Sequence, residues 1–137
     1  MIDPALHPYL PVAAVTLLVC IVYFLMAVWV SRTHRRTGIM APAMTGDPLL
    51  ERTVRAHANT LEWMPIFLPS LWLFAIFWRA DVAAWLGLLW LLGRIVYFVG
   101  YVGSPSGRSL GFFIQAMAAF ALLLGALWRI AAAWFGG

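Results

Sequence analysis

The chain has 137 residues, 64% of them hydrophobic and 10% charged, with a formal net charge of +4. Soluble domains carry roughly 45–50% apolar and about 25% charged residues, so a water-soluble globule is excluded, and the length leaves room for one domain, 1–137. The arginines cluster at the ends of apolar runs without the aromatic interleaving of a nucleic-acid surface, so no nucleic-acid partner is expected.

No charged residue separates Asp3 from Arg32. A hydrocarbon core about 30 Å thick needs roughly 20 apolar residues. A first span is therefore predicted from about Tyr9 to Ser31, within a helix over 9–36. A cleaved secretory leader would show a basic head and an apolar run of about 7–15 residues. Asp3 and the length of this run argue against it. Cys20 falls mid-span, where it is expected to be buried, and a lone cysteine permits no disulfide within the chain. The stretch 32–50 is the one long connection, and Gly38, Pro42, Gly46 and Pro48 suit an irregular loop.

A second helix is predicted over 48–79. Pro65 and Pro69 lie inside its apolar part, where a membrane helix tolerates them as a bend. The uncharged run after Glu62 is slightly short for a crossing, so the helix starts earlier and draws Arg55, Asn59 and Glu62 toward the bilayer. The third helix, 82–103, must continue through Arg94, since ending there would leave too few residues to cross. The turn Ser104-Pro105-Ser106-Gly107 leads into a fourth helix over 106–134. Short turns make neighbouring helices antiparallel, giving an all-α, integral-membrane, up-down-up-down four-helix bundle. Ala116, Ala118, Ala119, Gly125 and Ala126 suit a close interhelical face on the last helix.

Arg32, Arg35, Arg36, Arg52, Arg55 and Arg108 lie at one membrane face, and Arg79 and Arg129 at the other. The positive-inside rule places the 32–50 loop in the cytoplasm and both termini outside. Trp78, Trp85, Trp128 and Trp134 then mark the outer headgroup level. His7, His34 and His57 lack metal-ligand spacing, and no metal is expected.

Arg55, Asn59 and Glu62, spaced four and three apart, share one helical face with Glu51 a turn earlier. Arg94, Tyr97 and Tyr101 repeat this pattern on the third helix. Ionisable groups at such depth usually face a bundle interior or wet cavity. Two readings follow: structural ion pairs such as Glu62 with Arg94 or Glu51 with Arg55, or a ligand site. Arginines fork onto carboxylates while glutamate and asparagine hold an ammonium or amide, which suits a zwitterionic, peptide-like ligand. Arg108 opens the fourth helix, where free N–H groups and the dipole favour an anion and draw a thiol toward thiolate. His57 fits a site residue or a headgroup-level histidine equally.

Glu51-Arg52-Thr53-Val54-Arg55-Ala56-His57-Ala58-Asn59-Thr60-Leu61-Glu62, followed by Pro65 and Phe67, resembles the signature of the MAPEG superfamily, membrane-associated proteins of eicosanoid and glutathione metabolism. Arg94-Ile95-Val96-Tyr97-Phe98-Val99-Gly100-Tyr101 with Arg108 resembles the matching segment of its leukotriene-C synthase and lipoxygenase-activating branch. The resemblance implies a homotrimer, of bacterial inner-membrane type in its setting, that binds glutathione between subunits and conjugates its sulfur to a lipophilic electrophile arriving from membrane lipid, with peroxidase activity as a further expectation for the same site.

Carried over by position, it implies glutathione contacts from Arg55, His57, Asn59, Glu62, Arg94, Tyr97 and Tyr101. It implies thiol activation by Arg108, with Tyr101 and Arg35 as further catalytic groups. His34 stands where the leukotriene enzyme has arginine, His57 where it has glutamine, and Ala58 where the prostaglandin-synthase branch has arginine. These departures bear on substrate choice. A non-catalytic lipid-binding or scaffold protein of the same fold is the alternative, and retention of Arg108 with both tyrosines favours the enzyme.

Overall fold

A computed structural model describes residues 2–136; Met1 and Gly137, the ends of the expected 1–137 domain, lie outside the described residues. A 3-10 turn over Pro4–Tyr9 leads into α1 (Leu10–Thr37), followed by α2 (Pro48–Phe77), α3 (Ala80–Gly103) and α4 (Arg108–Phe135). All four helices are long and apolar enough to cross a membrane, and the chain is an integral membrane four-helix protein.

The helix ends follow local chemistry. α1 stops at Gly38, which takes the left-handed conformation at φ 71° that a side chain would resist. Asp47 caps α2, its carboxylate accepting from the N–H groups of Leu49 at 2.8 Å and Leu50 at 3.1 Å, with Pro48 in the first turn. The helix runs through Pro65 and Pro69 unbroken. It ends two residues earlier than predicted, because Trp78 and Arg79 both turn their N–H groups onto the Phe74 carbonyl and Arg79 already caps α3. Ser104 N–H closes α3 on Gly100, and Gly107 donates to both oxygens of Ser104 before α4 begins.

α1 and α4 each pack on α2 and α3, and the α3–α4 contact is the most extensive. The larger core cluster joins Val12, Val15 and Val19 of α1 to Phe67, Leu71, Trp90 and Leu122. Within it Phe67 lies flat on Trp90, with ring centroids 3.9 Å apart. A second, smaller cluster gathers Met26, Ala56, Tyr97 and Phe98 nearer the loop end. Of the small residues expected on one face of α4, Ala118, Ala119 and Ala126 are buried. The expected burial of Cys20 is corrected: it is exposed, on the outward face of α1 with Leu17 and Phe24, while Val15, Val19 and Met26 take the inward face.

Candidate functional site

The polar stripe on α2 and that on α3 meet where the helices approach α4. Arg55 Nη1 donates to Glu62 Oε1 at 3.2 Å, and Asn59 Nδ2 donates to Glu62 Oε2 at 3.1 Å. Across the helix interface Arg94 Nη2 donates to Asn59 Oδ1 at 3.1 Å and to Thr60 Oγ1 at 3.2 Å. One chain of hydrogen bonds thus runs from Arg55 through Glu62 and Asn59 to Arg94. Neither sequence-predicted ion pair forms. Glu62 pairs with Arg55 and reaches Arg94 only through Asn59, while Glu51 accepts from Gly46 N–H at 3.0 Å.

Beside this network lies a cavity of about 460 Å³ lined by Arg55, Asn59, Tyr97, Arg108, Ser109 and two phenylalanines, Phe112 and Phe113. A second hollow of about 340 Å³ adjoins it across Arg55 and is bordered by Glu51, Arg52 and Tyr101. Tyr97 and Tyr101 stand 5.7 Å apart between ring centroids, and Arg108 Cζ sits 5.0 Å from the centre of the Tyr101 ring. That distance is in cation–π range, which holds the guanidinium at the mouth of α4. Arg108 is the first residue of α4, and its preceding Gly107 offers no side-chain cap. The cavity therefore borders a helix N-terminus at which Ser109 N–H turns back to the Ser106 carbonyl, and the remaining first-turn N–H groups with the dipole favour negative charge. Two guanidinium groups, a tyrosine and the Asn59 amide line the cavity, while Glu62 stands behind it with its oxygens taken by Arg55 and Asn59, and Glu51 borders the adjoining hollow.

Arg94, expected as a glutathione contact, stands behind the cavity lining. It is fully buried behind Asn59 and Tyr97, with its Cζ 4.6 Å from the Tyr97 ring centre, and forms no part of the cavity wall. Its position suits it to fix Asn59 and Tyr97. His57 stacks on Tyr23 of α1 at 4.4 Å between centroids, turned away from the cavity. Arg35 is exposed on α1 and reaches neither hollow of its own chain. Ser109, Phe112 and Phe113 were not singled out in the sequence; Phe112 stands four residues after Arg108, and that one-turn spacing was the available signal.

Comparison with known proteins gives a consistent answer. The MAPEG family model matches residues 12–128. An uncharacterized protein of Synechocystis is 42% identical over 118 residues, covering 86% of each chain. Leukotriene C4 synthase of Cavia porcellus is 35% identical over 111 residues, which is 81% of this chain and 74% of that protein. Human microsomal glutathione S-transferase 2 is 35% identical over 116 residues, 84% of this chain and 79% of that one.

Proposed function

Because the chain belongs to the MAPEG family, we propose that it is a membrane-bound glutathione transferase joining the glutathione thiolate to lipophilic electrophiles. The observation that carries this reading is Arg108, held over Tyr101 at the N-terminus of α4 and lining the polar cavity. A lipid carrier needs no cation at that place.

In the reaction the thiol gives its proton to water, the sulfur forms a bond to the electrophilic carbon, and the leaving group departs with the electron pair of the bond that breaks. Arg55 and Asn59 offer guanidinium and amide to the complementary groups of the tripeptide, and Glu62 orients both through its two oxygens. Arg108 favours thiolate over thiol, with Tyr101 able to donate to the same sulfur. With a lipid hydroperoxide in place of the electrophile, two glutathione molecules would yield the disulfide, an alcohol and water.

The assembly we propose is a homotrimer with the cavity shared between neighbours. It gives Arg35 and His57 a role, since an adjacent copy brings to the cavity what its own chain keeps away. The mass of the purified protein in mild detergent should be that of three chains, and a fully active monomer would refute the shared site.

The primary test is conjugation of a generic aryl halide by purified protein, together with the ultraviolet absorbance of bound thiolate against pH. One pKa unit corresponds to about 1.4 kcal/mol between thiol and thiolate. Arg108→Ala should move the thiolate titration to higher pH and lower kcat, with glutathione binding affected less. An unchanged titration and unchanged turnover would remove Arg108 from the mechanism.

A further inference from the structure

A second cleft lies on the opposite side of α3 from the glutathione cavity, between α1 and α3. Tyr97 faces the cavity, while its neighbour Phe98 forms the floor of this cleft together with Met26. Both floor residues are buried, whereas the walls, Leu25, Trp29 and Val99, are half exposed or more. The groove has a volume of about 270 Å³, and Trp29 meets Phe98 edge-on at 6.3 Å. Any lipid-facing surface is apolar, so the apolar walls alone identify nothing.

The groove's loop end does. There it runs into a hollow of about 190 Å³ that shares Trp29 and Val102 with it and is bordered by Arg32, Thr33 and Arg36. Arg52 Nε donates to the Val102 carbonyl at 3.2 Å, so a third guanidinium stands beside the shared residue. Among the described residues the ion pairs are Arg55–Glu62 and Arg79–Asp81, which leaves Arg32, Arg36 and Arg52 without a carboxylate partner. The nearby acids, Asp47 and Glu51, are taken up by backbone N–H groups at the start of α2. An apolar trough at membrane depth thus opens into a cluster of uncompensated guanidinium groups at the headgroup level.

We propose that this cleft binds one anionic bilayer phospholipid per subunit, an acyl chain lying along Met26 and Phe98 and the phosphodiester held by Arg32 and Arg36. Planar guanidinium groups match phosphate oxygens in pairs, and basic pockets between membrane helices recognise anionic head groups on the arginine-rich side of the membrane. A phospholipid is the occupant because its head group spans both guanidinium groups at once and because it is present at the density of the bilayer itself. The site is separate from the glutathione cavity and does not depend on the activity proposed for it.

Native mass spectrometry of the protein in mild detergent, resupplied with equal amounts of phosphatidylglycerol and phosphatidylcholine of the same chains, tests this. One phosphatidylglycerol per subunit should be retained, at least tenfold over phosphatidylcholine. Each arginine near an anionic lipid surface is worth about 1 kcal/mol, so the double variant Arg32→Gln with Arg36→Gln should lose roughly tenfold or more of that preference. Arg32→Lys with Arg36→Lys should keep part of it. Val99→Trp, which fills the trough, should expel the lipid with the helical circular dichroism unchanged. Equal retention of the two lipids, indifference to both the arginine and the trough variants, or displacement by an equimolar free fatty acid would each overturn the proposal. A change of assembly mass in Val99→Trp without loss of lipid would assign the trough to a second copy of the chain and overturn it as well.

Discussion

The Asn59 amide is oriented by two neighbours of opposite hydrogen-bonding character. Arg94 can only donate and Glu62 can only accept, so Oδ1 turns to the arginine and Nδ2 to the carboxylate. Asn59→Asp would set a second carboxylate against Glu62 and break the run from Arg55 to Arg94. A hydrogen bond to a charged group is worth about 1.5–3 kcal/mol. The variant should therefore raise KM for glutathione roughly tenfold to a hundredfold with a smaller effect on kcat, measured by steady-state conjugation. A kcat loss with KM unchanged would place Asn59 at the reacting atoms instead. At this scale the sequence disclosed which residues share a face, since spacings of three and four dictate that. It did not disclose depth or pairing. Arg94 lies inside the wall because α3 presses that position against Thr60, and the spacing of a stripe carries no information on how closely the next helix comes. The exposure of Cys20 escaped prediction for the same reason, as it depends on which side of α1 turns inward.

At the level of elements the site is held by the α3–α4 contact. Gly111 sits against the backbone of Tyr97, and Gly93 against the backbone of Gln115, so a methyl group at either place would meet main chain that cannot yield. Gly111 is also within one turn of Arg108, and Tyr97 lines the cavity. The spacing between α3 and α4 thus sets the distance between the tyrosines and the arginine. Gly111→Ala should cost about 1–3 kcal/mol of stability by overpacking and should weaken glutathione binding together with the melting temperature in detergent. Gly103 serves as the comparison. A Cβ there meets nothing within 4 Å, so Gly103→Ala should be neutral or stabilising by about 0.4–1 kcal/mol. Equal losses in the two variants would detach the effect from helix spacing. The sequence pointed to small residues around Ala118 and Ala126, which are indeed buried, but not to Gly111. Gly111 stands seven residues before Ala118 on the same buried face of α4, and that recurrence was the signal available for it.

For the whole molecule, the number of helices and their antiparallel order were legible from charge-free lengths and short turns, because the bilayer demands unbroken helices. The positions of α1 and α4, flanking the α2–α3 pair, were not. Of the two membrane faces, the one carrying the 38–47 loop has the greater number of arginines, and it is expected on the cytoplasmic side. A reporter fused at the C-terminus should behave as extracytoplasmic, and a cytoplasmic signal would reverse the orientation. The unequal connections have a separate consequence. Trp78-Arg79 and Ser104–Gly107 bind α2, α3 and α4 tightly in succession, whereas α1 is joined only by residues 38–47. In connectivity the protein is a three-helix unit with a tethered first helix, whose docking rests on Val12, Val15, Val19 and Met26. A backbone break in that exposed loop should be tolerated. Two fragments, ending at Pro42 and starting at Ala43, should therefore copurify when coexpressed and restore thiol conjugation, making α1 an exchangeable part through which labelled or altered segments can be introduced without rebuilding the rest.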